Sequence, residues 1–252
     1  MSNRLFDAVL FDLGNTLIYF DCNDENVFAR MDAAMVDSLL ASGLKLDRGP
    51  FLKQYRDRLE SYEAERDSEF IEHSTTFIIR SLITEAGLAQ PAQNVIKTAV
   101  RARYAVSQAF WKLEEDAWPV LDALRAQGYR LGIVSNAGDD EDVQTLIDNA
   151  RLRPYFDVIV SSAAQGIRKP NPRIFLDVLA QLNMEPKQAA MVGDTLGADI
   201  LGAQNAGLFA IWITRRANRA ANNDHLDTIQ PDAAIAELSE LPALLNRIPK
   251  LK

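Results

Sequence analysis

Apolar and polar positions fall into blocks along this chain. Short runs rich in Val and Ile stand at "AVLF" (8–11), "YRLGIVSN" (129–136), "FDVIVSSA" (156–163), "AAMVGD" (189–194) and "FAIWIT" (209–214). They lack a polar face, as strands buried on both sides do. Between them the period lengthens to that of a helix. "WPVLDALRAQG" (118–128) carries Pro near its start and Gly at its end, the usual helix punctuation. "NPRIFLDVLAQL" (171–182) sets Ile174, Phe175, Val178, Leu179 and Leu182 along one stripe, predicting an amphipathic helix. This alternation predicts an α/β fold, a doubly wound parallel sheet of at least five strands with right-handed crossovers and helices on both faces. Residues 21–108 break the pattern. They hold four long helix-periodic segments almost free of strand signals, which predicts an all-helical domain over 21–108 inserted into a core made of 1–20 and 109–252.

Composition narrows the functional classes. Of the 252 residues 48% are hydrophobic and 25% charged, the balance of an ordinary globular protein, and no apolar run approaches a membrane span. The first residues, "MSNRLFDAVLFD", hold only a short apolar segment broken by Asp7 and Asp12, so no signal peptide is expected. A single Cys, Cys22, cannot form an internal disulfide and fits a reducing compartment, the cytoplasm. A net charge of −8 argues against nucleic-acid partners, which require a basic surface. The densest basic cluster, "RRANR" (215–219), reads as a solvated loop near a helix end.

Open parallel sheets bind ligands beyond the carboxyl ends of their strands. Asp12, Ser135, Asn136 and Asp194 follow three of the predicted strand ends, and the loop after a fourth leads to Lys169. With Asp199 this would bring three carboxylates into one crevice, which repulsion opposes unless positive charge compensates. Lys169 and one divalent cation would balance them, and a ligand set without Cys or His selects Mg²⁺. Ser135, the Asn136 amide and the Lys169 ammonium then suit a tetrahedral phosphate, which Asp12 is placed to attack.

The motifs "FDLGNTL", "IVSNAG", "GIRKPNPRIF" and "VGDTLGADILGAQNAG" resemble, in order and spacing, those of the haloacid dehalogenase superfamily, in the branch with a helical cap after the first strand. The resemblance spans Asp7 to about Leu245. It implies a Rossmann-like core and an Mg²⁺-dependent phosphatase acting on a small phosphorylated metabolite through an aspartyl phosphate. Asp12 would be the nucleophile, Ser135 and Lys169 would hold phosphoryl oxygens, and Asp12, Asp194 and the carbonyl of Gly14 would bind the metal. Asp199 would orient Lys169 or a metal-bound water. Family phosphatases usually carry a second Asp, the proton shuttle, where this chain has Gly14.

Three readings follow from Gly14. One is a phosphohydrolase whose leaving group needs little protonation, such as a sugar 1-phosphate. Another is a phosphate-binding protein that lost turnover. The third is a hydrolase of carbon–halogen or carbon–phosphorus bonds, the last needing a Schiff-base lysine such as Lys45, Lys53 or Lys97. Asn15 and Thr16 are expected to close a turn, with Thr16 bonding local backbone, and Asp139 and Asp140 to cap the following helix. Trp111, Trp118 and Trp212 read as packing anchors. The sequence leaves the oligomeric state open.

Overall fold

The computed structural model describes residues 5–248. Its strands are β1 (Ala8–Phe11), β2 (Ile18–Phe20), β3 (Trp111–Leu113), β4 (Arg130–Ser135), β5 (Val158–Ser161), β6 (Ala189–Gly193), β7 (Phe209–Ile213) and β8 (Ala233–Ile235). Six of them form a wholly parallel sheet in the order β5-β4-β1-β6-β7-β8. The five runs picked out by their apolar character are all in it. The sixth, β8, falls in the three residues "AAI" and offers too few positions for a period to show. Every residue of the central strands β1 and β6 is buried, which explains their unbroken hydrophobicity.

The helices are α1 (Val27–Ala41), α2 (Arg48–Glu69), α3 (Thr75–Glu85), α4 (Gln93–Gln108), α5 (Ala117–Ala126), α6 (Asp140–Asn149), α7 (Ser162–Gln165), α8 (Pro172–Leu182), α9 (Leu201–Asn205), α10 (Ala220–Asn223) and α11 (Leu241–Arg247). Alternation along β1 sends Val9 and Phe11 into one core with α5, α6 and α11, and Ala8 and Leu10 into another with α8 and α9. The stripe of α8 is fully buried as expected. Asn171 caps this helix by accepting from the Arg173 N–H, Pro172 opens it, and left-handed Asn183 (φ 54°) ends it. Its start, three residues beyond Lys169, is thereby fixed. Asp139 likewise caps α6, accepting from the Asp142 N–H.

Helices α1 to α4 enclose a third apolar core of their own, including Met35, Leu39, Tyr55, Ile79, Ile83 and Val100. This helical insertion leaves and rejoins the sheet through the antiparallel ribbon β2–β3, in which Phe20 lies opposite Trp111. Among the described residues no helix is long and apolar enough to cross a membrane.

Candidate active site

Strand order alone delivers Asp12, Ser135 and Asp194 to one end of the sheet, because β1 lies between β4 and β6. The Asp12 N–H donates to Val192 O at 2.9 Å, which holds the carboxylate at the strand tip. Lys169 reaches the same point from the loop after α7. It is 2% exposed, and its ammonium donates to Asp12 Oδ1 (2.6 Å), Asp199 Oδ1 (2.6 Å) and Val134 O (2.7 Å). Three donors meet three acceptors, so a buried charge that would otherwise be prohibitive is fully satisfied. Burial acts to lower the Lys169 pKa, but Asp12 and Asp199 outweigh it and the ammonium is held above its ordinary value.

Asp194 and Asp199 are joined by a turn of π-helix over Leu196–Ile200. The Thr195 N–H donates to Asp199 Oδ2 (3.0 Å) and the Thr195 hydroxyl to Asp194 Oδ1 (3.1 Å). A Cβ at position 193 would overlap the Asp199 carboxyl, so the residue before Asp194 must be Gly. The carboxylates of Asp12, Asp194 and Asp199 each offer an oxygen within 4.8 Å of the others. Burial, then the charges of Asp199 and Asp194, push the Asp12 pKa up to about 7 against the opposing pull of Lys169. Burial and Asp199 raise Asp194 in the same way, opposed by Arg219. An all-oxygen donor set with uncompensated negative charge fits a hard divalent cation, which would relieve that repulsion.

The model of the haloacid dehalogenase-like hydrolases matches residues 6–207. The chain belongs to that family. A glyceraldehyde 3-phosphate phosphatase of Methanothermobacter thermautotrophicus is 27% identical over 243 residues, 96% of this chain and 100% of that protein. Among solved structures, a HAD phosphatase from Thermococcus onnurineus superposes with a TM-score of 0.63 at 26% identity, covering 95% of this chain and 98% of its own. A 2-haloacid dehalogenase from Pseudomonas syringae gives 0.66 at 26% identity, covering 96% and 99%.

In this haloacid dehalogenase-like hydrolase Asp12, Lys169, Asp194 and Asp199 meet in one cluster, and buried Ser135 ends β4 beside it. The Asn136 amide is engaged elsewhere: its Nδ2 donates to Lys169 O (3.0 Å) and its Oδ1 accepts from the Lys169 N–H (2.9 Å). Its side chain thus holds the lysine's main chain. Thr16 differs from expectation. The turn closes through main-chain bonds from Leu17 and Ile18 to Leu13 O, with Asn15 at φ 59°, and the buried Thr16 hydroxyl has no partner.

Beside Gly14 lies the Trp111 ring, 3.4 Å from where a Cβ would stand. Trp212 donates its indole N–H to Asp194 O at 3.0 Å, whereas Trp118 is 40% exposed and donates its indole N–H to Ala150 O. The loop "RRANR" stands at the start of α10 with Asn218 and Arg219 exposed, as expected, but its arginines are all engaged. Arg215 pairs with Glu114 and Asp116, Arg216 lies over the Tyr19 ring, and Arg219 donates to Asp194 Oδ2 at 2.8 Å. Asn222 secures that segment, donating to Asp194 O (2.9 Å) and accepting from the Leu196 N–H (2.7 Å). Sequence reading missed the Arg219 contact because charge density marks a cluster but not its partners.

Proposed function

We propose that this hydrolase removes the phosphoryl group from a small phosphorylated metabolite, with Asp12 as nucleophile and Mg²⁺ as cofactor. The observation that carries the reading is the buried ammonium of Lys169, shared by Asp12 and Asp199 with Asp194 beside them. Buried charge gathered at a strand end is costly as structure and useful as chemistry. Asp12, Asp194 and the carbonyl of Gly14 would hold the ion, which when bound supplies the positive charge that lets a phosphate dianion approach a carboxylate. Ser135 and the main-chain N–H of Asn136 would donate to phosphoryl oxygens. Asp12 Oδ2, which Lys169 does not engage, bonds to phosphorus as the ester P–O bond breaks, and the departing oxygen takes a proton from water. A second water then attacks the aspartyl phosphate. It releases inorganic phosphate and a proton and returns Asp12 as a carboxylate.

Position 14 offers no acid: Gly14 has no side chain, and the Trp111 ring stands in van der Waals contact with the place of its missing Cβ. This favours leaving oxygens of low basicity, such as the anomeric oxygen of a sugar 1-phosphate. The rest of the substrate would occupy a cavity of about 190 Å³ between insertion and core, lined in part by Tyr55, Thr75, Arg103, Tyr104 and the 136–138 turn. Its polar lining suits a hydroxylated metabolite, as does the likeness to a glyceraldehyde 3-phosphate phosphatase.

The likeness to a 2-haloacid dehalogenase favours a second reading, attack of Asp12 on a carbon–halogen bond. Asp194 and Asp199 weigh against it, since that chemistry has no use for a cation site. Lys45, Lys53 and Lys97 are all exposed and Lys53 pairs with Asp57, so none of these three has the desolvated setting a Schiff-base lysine needs. The test is a panel of hexose 1-phosphates, acetyl phosphate and para-nitrophenyl phosphate, with and without Mg²⁺, alongside 2-haloacids. Mg²⁺-dependent phosphate release is expected. Halide release alone would overturn the proposal, and so would phosphate binding with neither turnover nor a phospho-adduct by mass spectrometry.

A further inference from the structure

The helical insertion touches the core at a second place, far along the chain from its ribbon. Helix α2 ends at Phe70, whose φ of 53° is unusual for a residue with a Cβ. The strap 70–75 that follows binds both loops flanking the active site. The Arg168 N–H donates to Phe70 O (3.0 Å) and the Glu72 N–H to Gly166 O (3.1 Å), with Ile71 bridged antiparallel to Ile167. The Thr75 N–H donates to Gly138 O (2.8 Å).

At the centre of this strap sits Glu72, 8% exposed. Its Oε2 accepts from Ser162 Oγ (2.7 Å) and Arg168 Nη1 (3.1 Å), and its Oε1 lies 3.0 Å from the Tyr62 hydroxyl, which donates its proton at shorter range to Ile71 O (2.5 Å). Ser162 Oγ in turn accepts from the Ala137 N–H (2.9 Å). One carboxylate therefore ends two arms. One arm reaches Arg168, the residue before Lys169. The other reaches Ala137, the residue after Asn136, whose side chain clamps the Lys169 main chain.

We infer that Glu72 is a positioning residue for the reaction at Asp12: from the insertion it fixes the 136–138 and 166–169 loops so that Lys169 meets Asp12 in register. The inference rests on the reading of Asp12 as nucleophile. Its physical ground is that a buried ion pair is poor glue, because desolvation consumes most of its Coulombic gain. Apolar contacts would hold the insertion down equally well. A carboxylate adds direction, two charge-assisted bonds at set angles, from Ser162 and Arg168, and direction matters where an error of about 1 Å costs about 10²-fold in rate. The insertion is then part of the catalytic frame as well as its roof.

The test compares Glu72→Leu and Glu72→Gln with the wild type, reading kcat and KM for para-nitrophenyl phosphate at saturating Mg²⁺, melting temperature, and amide hydrogen exchange. For Glu72→Leu we expect kcat to fall about 30- to 100-fold, with faster exchange at Gly138, Arg168 and Lys169 and unchanged exchange in β6. Glu72→Gln keeps the shape and an acceptor, and should recover kcat to within about threefold of the wild type. A kcat within twofold of wild type in folded Glu72→Leu overturns the inference, whether KM rises, as for a simple roof, or only the melting temperature drops. If Glu72→Leu does not fold, Ser162→Ala cuts one arm; faster exchange at Ala137 with a severalfold lower kcat supports the brace, and no change in either overturns it. Should the wild type hydrolyse none of the phosphate esters, the proposed function falls, and the exchange comparison still decides whether Glu72 braces these loops.

Discussion

Withholding the proposed divalent ion while changing pH perturbs the centre most directly. Burial, reinforced by Asp199 and Asp194, lifts the Asp12 carboxyl from 3.8 to about 7 in the fold without metal. A group whose proton affinity is higher in the folded than in the unfolded chain contributes stability that is complete below the unfolded value and lost as pH rises through the folded one. For Asp12 the loss runs from about pH 4 to about pH 7. At about 1.4 kcal/mol for each tenfold change in proton affinity, the full loss is about 4 kcal/mol, of which about 3 kcal/mol lies above pH 5. In a chain of this length that corresponds to about 6–12 °C in melting temperature. Bound Mg²⁺ holds the carboxylate ionised by its own charge, so the metal-loaded protein should not show this loss. The assay is a pair of melting curves, with EDTA and with Mg²⁺, at half-unit steps from pH 5 to pH 8. The gap between them should widen by several degrees as pH rises, and Asp12→Asn should narrow that widening by at least half. A gap of constant width, or one that widens equally in Asp12→Asn, would refute the electrostatic reasoning.

Other perturbations test single contacts. Gly14→Asp has room for its Cβ, 3.4 Å from the Trp111 ring; it should raise kcat/KM for alkyl phosphates by about 10²-fold or more and leave aryl phosphates nearly unchanged, as a series of leaving groups of graded basicity would show. Arg219→Gln removes a cation that occupies Asp194 Oδ2. Calorimetric titration should find Mg²⁺ bound about two- to fivefold more tightly, the scale of a half-exposed ion pair; weaker binding would make Arg219 a support of the metal site instead of a competitor.

The parts of the fold legible in the sequence share a physical cause. Strands buried on both faces cannot carry polar residues, so β1, β4 and β6 announce themselves, and a ligand site at their carboxyl ends follows from topology. That is why Asp12, Ser135 and Asp194 stood out. Lys169 was harder to place, since it hangs from a loop and depends on the cap of α8 for its position. The ribbon β2–β3 and strand β8 were missed because three residues give no usable period. Glu72, Arg219 and Trp111 each meet a partner more than 20 residues away in the chain, Ser162, Asp194 and Gly14, and nothing local in "IEHST" or "RRANR" reveals which neighbour that will be.

The pairing of Phe20 with Trp111 bears on how such a chain can be remodelled. The two points where the excursion from the sheet begins and ends are hydrogen-bonded neighbours, so a short reverse turn joining them would span the gap without straining β1. Whole helical lobes are therefore exchangeable at that neck, with the parallel sheet serving as a constant chassis. A graft should also carry its own counterpart of the strap that clasps the two loops on the far side.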